Sequence, residues 1–198
     1  MTGFWNLEAK SKPFEDTNYK PELMIACTIP AGAKRGLMPR VRWQAALRHE
    51  SNGKAGTDSR SLNKLYLEPG LEWGEPGARN LVIRLTPRVW TYVGDLSENP
   101  DIGDWLGHAA LGLSIARNGD WKLAVARQFG DTSGRGNVVV DAAVWPKAVF
   151  ASDAWPNFYL HAQLFHGYGE SLLNYRNDFL KRPGRKSTRL RVGLSIVP

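Results

Sequence analysis

One cysteine, Cys27, occurs in 198 residues. A single thiol cannot build an internal disulfide framework or a cysteine-rich metal site. Long hydrophobic runs are missing too: no segment reaches the ~18 consecutive apolar residues of a membrane-crossing helix. That absence excludes helical spans only, because a membrane barrel alternates lipid-facing and lumen-facing residues and reads as polar on average. Met1–Asn6 lacks the basic segment and apolar core of a signal peptide. The net charge of +7 suits nucleic acid, an anionic membrane surface or neither. No zinc-finger, helix-turn-helix or RNA-binding signature accompanies it, so no nucleic-acid partner is expected. With 42% hydrophobic and 23% charged residues, the chain is neither disordered nor a helical membrane protein, and its length fits a single domain spanning 1–198.

Aromatic residues are plentiful by contrast. Eight Trp and six Tyr fit either the interfacial girdles of a membrane barrel or an ordinary core. Basic residues are spread along the chain, except for the group Lys181, Arg182, Arg185, Lys186, Arg189 and Arg191. Pro183 and Gly184 mark that stretch as a loop, and a solvated loop is its commonest meaning.

The dominant hydrophobic period is two. Leu81, Ile83, Leu85 and Val89 alternate with Asn80, Arg84, Thr86 and Arg88. Val41, Trp43, Ala45 and Leu47 oppose Arg42, Gln44 and Arg48, and Leu190, Val192, Leu194 and Ile196 oppose Arg191, Gly193 and Ser195. Weaker alternation marks Tyr19–Cys27, Ser61–Leu67, Trp105–Ala116, Trp121–Phe129, Val138–Trp145 and Phe158–His166, with a stub at Thr2–Leu7. These are about ten strands of roughly the 9–11 residues that a tilted membrane strand needs. Turn residues separate them, at Pro30–Gly32, Pro69–Gly77, Asn118–Gly119, Asp131–Gly136 and Pro146–Asn157. A meander with one apolar and one polar face is either a soluble barrel, apolar inside, or a membrane barrel, apolar outside. Periodicity leaves that choice open.

Chemistry concentrates in one hairpin, His49-Glu-Ser-Asn-Gly-Lys-Ala-Gly-Thr-Asp-Ser-Arg-Ser-Leu-Asn63. His49 and Ser51 are two apart, so both project from one strand face, ~6.6 Å apart along the chain. By parity they continue the apolar row Val41, Trp43, Ala45, Leu47. If the hairpin closes symmetrically about Gly56, His49 lies opposite Asn63, and directly paired residues have Cβ atoms ~4.5–5.5 Å apart. Serine is a weak nucleophile until a base takes its proton; His49 is placed to be that base, and Asn63 to orient the imidazole. A strand end with its glycine-rich turn is the ordinary alternative.

The same hairpin, with Asn63-Lys-Leu-Tyr66 following, resembles the active-site hairpin of the outer-membrane phospholipase A family. Pro13-Phe-Glu-Asp-Thr-Asn-Tyr-Lys-Pro-Glu22, Asn99-Pro-Asp-Ile102 and Gly167-Tyr-Gly-Glu-Ser-Leu172 followed by Tyr175 agree in order, so the resemblance runs over nearly the whole chain. It implies an all-β, antiparallel up-and-down transmembrane β-barrel of twelve strands in the bacterial outer membrane. It also implies a calcium-dependent homodimer that cleaves acyl esters of phospholipids and lysophospholipids. Residue by residue, Ser51 would be the nucleophile, His49 the base, Asn63 the orienting group and Gly53 an oxyanion-hole donor. Calcium would take the Lys54 and Ser59 carbonyls, the Asp101 carboxylate and the partner subunit's Ser11, hard oxygens that suit this ion. Counting strands alternately up and down puts the loops Glu8–Asn18, Asn52–Arg60, Gly94–Ile102 and Gly167–Thr188 on one rim.

The chain departs from the family at several points. Gly56 stands where the family often has Asp, a contact that Asp58 is a candidate to replace. The segments Pro69–Ala78 and Leu180–Thr188 look like insertions, and Pro198 stands where barrels usually end on an aromatic. The resemblance implies that the first two strands and part of the third are missing, so on its own the chain is expected not to close a functional barrel. Met1 is read as an internal start. An inactive fragment, a non-enzymatic barrel and a soluble binding barrel are the competing readings. Calcium-dependent esterase activity separates the enzyme from the first two, and detergent dependence separates it from the third.

Overall fold

A computed structural model describes residues 2–5, 14–29, 38–75, 80–117, 120–146, 158–177, 182 and 184–196. Its strands are β1 (Thr2–Trp5), β2 (Phe14–Asn18), β3 (Glu22–Ile29), β4 (Arg40–Ser51), β5 (Ser61–Trp73), β6 (Leu81–Val93), β7 (Ala109–Arg117), β8 (Trp121–Phe129), β9 (Gly136–Val144), β10 (Phe158–Gly167) and β11 (Ser187–Ile196). A single short helix, α1 (Ile102–Leu106), lies among the described residues. Strands β3 to β11 form one nine-stranded antiparallel sheet in strict sequence order, an up-and-down meander; β1 and β2 pair separately.

Strand β2 lies within the stretch expected as the loop Glu8–Asn18, and three further local differences from the expected strand pattern have backbone causes. The stretch expected as one strand over Tyr19–Cys27 is divided, because Pro21 has no N–H to give to a ladder. Tyr19 nonetheless bridges Ser51 while Glu22 pairs with Arg48, so both pieces follow β4 in one register. The expected turn at Pro69–Gly77 starts late, since β5 continues to Trp73. The β5–β6 ladder breaks between the pairs Leu67↔Val89 and Leu71↔Leu85, where the register sets Pro69 opposite Pro87 and neither can donate. Finally, the strand expected from Trp105 begins only at Ala109, because 102–106 turns into the helix that caps the rim.

The faces decide between the two barrel types. On β5, Leu65 is 50% and Leu67 48% exposed, while Tyr66 between them is 3% exposed. The outward row continues with Leu47, Val89, Leu111, Leu113, Leu123, Val125 and Leu164, all exposed. The polar row points to the concave side, where Arg42, Gln44, Glu68, Arg84 and Ser114 line a cavity of about 340 Å³ shared by β3 to β8. Its charges are cross-paired. Glu72 binds Arg40 at 2.5 Å and also Arg84; Glu68 binds Arg88 at 2.6 Å, and Glu22 binds Arg48 at 2.8 Å. Gln44 donates to the Tyr66 hydroxyl, which donates to Glu22. Greasy outside and ionic inside is the inverse of a soluble barrel and the arrangement of a lipid-facing wall.

Aromatic residues bracket that wall. Trp121 and Phe129 end the same outward row of β8. Eight residues apart, they are separated by about 26 Å along the strand, or about 20 Å of height at a barrel strand's tilt of about 40°, within the ~25 Å apolar band of such a barrel. Leu113 lies mid-strand on the same wall. Leu113→Arg is therefore expected to cost about 2–4 kcal/mol of folding free energy in lipid vesicles, and Ser114→Arg, on the inward row, much less. Equal costs at the two positions in a denaturant titration would overturn the outward assignment.

The apolar core is small and sits at one mouth of the wall. Leu62 of β5, Ile102 and Leu106 of α1, and Tyr168, Leu172 and Tyr175 of the segment after β10 pack together there. The hydrogen bond from Tyr168 to the Gly184 carbonyl ties in the chain before β11. The loops 52–60 and 94–108 and the described residues 168–177 and 184–186 thus share one rim.

Candidate active site

The β4–β5 hairpin is symmetric about Gly56: His49 pairs with Asn63 and Ser51 with Ser61. The N–H of His49 donates to Pro21 and that of Ser51 to Tyr19, both away from β5. Both pairs are therefore of the non-hydrogen-bonded kind, in which Cα atoms approach to ~4.5 Å and side chains are closer. That closeness lets His49 Nδ1 lie 2.9 Å from Asn63 Oδ1. An amide oxygen can only accept, so Nδ1 is the donor in this contact, and the neutral ring in this tautomer has its free lone pair on Nε2. His49 is exposed and Ser51 partly so, on the outward row.

The loop that follows is held by a residue that sequence reasoning passed over. Asn52 is 4% exposed. Its Oδ1 accepts from the backbone N–H of Lys54 at 3.3 Å and of Arg60 at 3.0 Å, and its Nδ2 donates to the Asp58 carbonyl at 2.8 Å. The Asn-Gly dipeptide was the available signal. Gly53 has φ of 66°, and a Cβ there would stand 3.2 Å from the Tyr19 ring. A larger residue at this position would meet both strain and a neighbour.

Behind the hairpin, on the inward face, Glu50 is buried between His49 and Ser51 in sequence and binds Lys20 at 2.7 Å and Lys64 at 4.0 Å. Beside it, the 94–101 loop docks on the start of β5. Asn99, fully buried, donates to the Ser61 carbonyl at 2.7 Å. Glu98 Oε2 accepts from Ser61 Oγ at 3.0 Å. Hydrogen bonds from Ser59 and then Ser61, with the charge of Arg60, hold the Glu98 carboxyl below its usual range. Glu98 is thus brought beside Ser61, the residue that pairs with Ser51.

Asp101 is placed differently. Tyr175 donates to its Oδ1 at 2.5 Å, Trp105 Nε1 to its Oδ2 at 3.0 Å, and Arg176 lies 2.6 Å away. Burial works against its charge, but these donors keep the carboxyl below its usual range. The Tyr175 hydroxyl is pushed up to about 12 by burial and by Asp101. The Asp101 carboxylate is thus committed to the cap. Ser11 lies outside the described residues. Among the described residues, no three His, Cys, Asp or Glu side chains cluster as a metal site. The hydroxyls and carbonyl of Ser59 and Ser61 with the Glu98 carboxylate make a hard-oxygen set of the type that calcium takes. The signal for Glu98 was its place immediately before Asn99-Pro-Asp.

Fold and site together define an outer-membrane-type β-barrel wall that carries polar, hydrolase-like groups on its lipid-facing side. The sequence profile of the phospholipase A1 family matches residues 1–194, and the chain belongs to that family. A Neisseria meningitidis protein carrying the phospholipase A1 name is 32% identical over 184 residues, covering 87% of this chain and 42% of that protein. Phospholipase A1 of Escherichia coli K12 is 29% identical over 174 residues, covering 87% of this chain and 54% of its own length. The chain thus spans about half the length of these relatives. The solved outer membrane phospholipase A from Escherichia coli superposes with a TM-score of 0.72 at 26% identity, covering 96% of this chain and 66% of that one. The Salmonella typhi outer membrane phospholipase, solved as a dimer with bound calcium, gives 0.72 and 26%, covering 96% and 65%.

Proposed function

We propose that this protein hydrolyses the acyl esters of phospholipids and lysophospholipids in the bacterial outer membrane, as a calcium-dependent homodimer. The observation that carries the reading is the His49–Asn63 hydrogen bond on a lipid-facing row shared with Ser51. In this reading His49 Nε2 takes the proton of Ser51 Oγ as that oxygen attacks the ester carbonyl. The Gly53 N–H receives the developing oxyanion, and His49 returns the proton to the departing alkoxide. Water then frees the fatty acid from Ser51 by the same proton path. Asn63 keeps the imidazole in the tautomer the base needs.

Calcium, when bound, would add Lewis-acid stabilisation of the oxyanion. The residues suited to hold it are Lys54 and Ser59 through their carbonyls and Glu98 through its carboxylate, with the partner subunit's Ser11. Asp101 is the carboxylate that the resemblance implies; because it already meets three donors, Glu98 is the alternative carboxylate for the ion.

The full-length protein in mixed micelles of detergent and phospholipid, with calcium, is expected to release fatty acid, and chelator should stop it. No release from any ester lipid would overturn the reading. Equal release in chelator would remove calcium from it.

A further inference from the structure

The basic segment before β11 has no part in the hydrolytic reading. Strands β10 and β11 pair His166 with Thr188, Leu164 with Leu190, Ala162 with Val192 and Leu160 with Leu194. These residues form the outward row of the wall, and Leu160, Leu164, Leu190, Val192 and Leu194 are all exposed. Neighbouring β9 sets Val138 beside His166 and Val140 beside Leu164. An aliphatic ladder therefore runs down three adjacent strands. From Thr188 to Leu194 it extends about 20 Å along β11.

At the loop end the ladder changes character. His166 Nδ1 and Thr188 Oγ1 meet at 2.9 Å on the exposed side. One row step further stands Lys186, with Arg185 beside it, both exposed. The acid at this end, Glu170, is turned inward, where Arg191 holds it at 2.7 Å and Ser187 donates to it. Among the described residues of β9 to β11, the outward row carries no carboxylate. Cations and hydrogen-bond donors thus sit directly above an apolar strip, in the order of a phospholipid's own parts.

We propose that this face binds one anionic phospholipid, its phosphate at Arg185, Lys186 and Thr188 and its acyl chains along Leu164, Leu190 and Val192. The proposal rests on reading the outward row as lipid-facing. Basic side chains clustered at a membrane edge attract anionic headgroups, and the strip beneath gives the chains a surface that a soluble anion cannot use. The site is distinct from the triad hairpin. Six strand steps separate β4 from β10 in the sheet, about 29 Å around the wall. The bound lipid is thus a resident that anchors the loop rim and not a substrate.

The test uses the full-length protein in neutral-detergent micelles, with non-hydrolysable ether-linked phosphatidylglycerol or phosphatidylcholine added and retention read by native mass spectrometry. The wild type is expected to retain phosphatidylglycerol preferentially. Arg185→Ala/Lys186→Ala should weaken that retention by at least about tenfold, leaving phosphatidylcholine retention and hydrolysis in neutral mixed micelles unchanged. Leu164→Asn/Leu190→Asn should weaken it too, and soluble glycerol phosphate should not displace the lipid. Wild-type retention by the double cation variant would overturn the proposal, as would displacement by glycerol phosphate. A protein that stays dispersed without detergent would instead overturn the lipid-facing wall itself.

Discussion

Ser51→Ala is expected to lower fatty-acid release by at least about 10⁴-fold while the protein still folds. On the proposed reading the Ser51 hydroxyl forms the acyl intermediate, and the loop that would receive the oxyanion cannot replace it. His49→Ala should fall to a similar level, because nucleophile and base act as a unit and their losses do not add. Asn63→Ala is milder. It deletes one hydrogen bond to a neutral imidazole, of the order of 1 kcal/mol, so a fall of about fivefold is expected. Initial rates in mixed micelles, with migration of the unheated protein on a gel as the folding control, give the comparison. Near-normal hydrolysis by Ser51→Ala would sink the assignment of the nucleophile.

Glu98→Gln should raise the calcium needed for half-maximal activity by about a hundredfold, since site affinity follows the charge count of the ligands. Asp101→Asn should change it by no more than a few-fold. Its carboxylate binds Tyr175, Trp105 and Arg176, so its loss should loosen the rim cap before it touches the ion. Terbium luminescence on the two variants reads the site without relying on turnover. The reverse ranking would return the ligand role to Asp101.

Much of this arrangement was legible because strands repeat every two residues. Parity alone put His49 and Ser51 on the apolar row, and symmetry about one glycine put Asn63 opposite His49, as the ladder has it. The up-and-down count placed the loops 8–18, 52–60, 94–102 and 167–188 on a shared rim; 8–13 lie outside the described residues, and among the others Asp101 meets Tyr175 and Glu98 meets Ser61. Periodicity could not say which face was outside, because charges such as Arg42, Arg48, Arg84, Arg88 and Glu22 on one face suit solvent and lumen alike; the Glu72–Arg40–Arg84 cluster on the concave side answers that. Contacts between loops were hidden as well. Glu98 and Asp101 are three residues apart in one motif, and only the docking of 94–101 against β5 and of Tyr175 against α1 separates their tasks. Asn52 was hidden for a similar reason: a buried amide spanning its own loop leaves no period to read.

The cap of Leu62, Ile102, Leu106, Tyr168, Leu172 and Tyr175 closes the mouth nearest the hairpin. Ion-paired side chains line the concave side of the wall below it. On the proposed reading, nothing needs to pass through its middle. Lipids would reach Ser51 sideways, by diffusing within the leaflet, and the split products would leave the same way. Traffic at such a site is two-dimensional: its rate is set by how many molecules lie per unit area of bilayer beside β4 and β5, and not by any concentration in the water on either side.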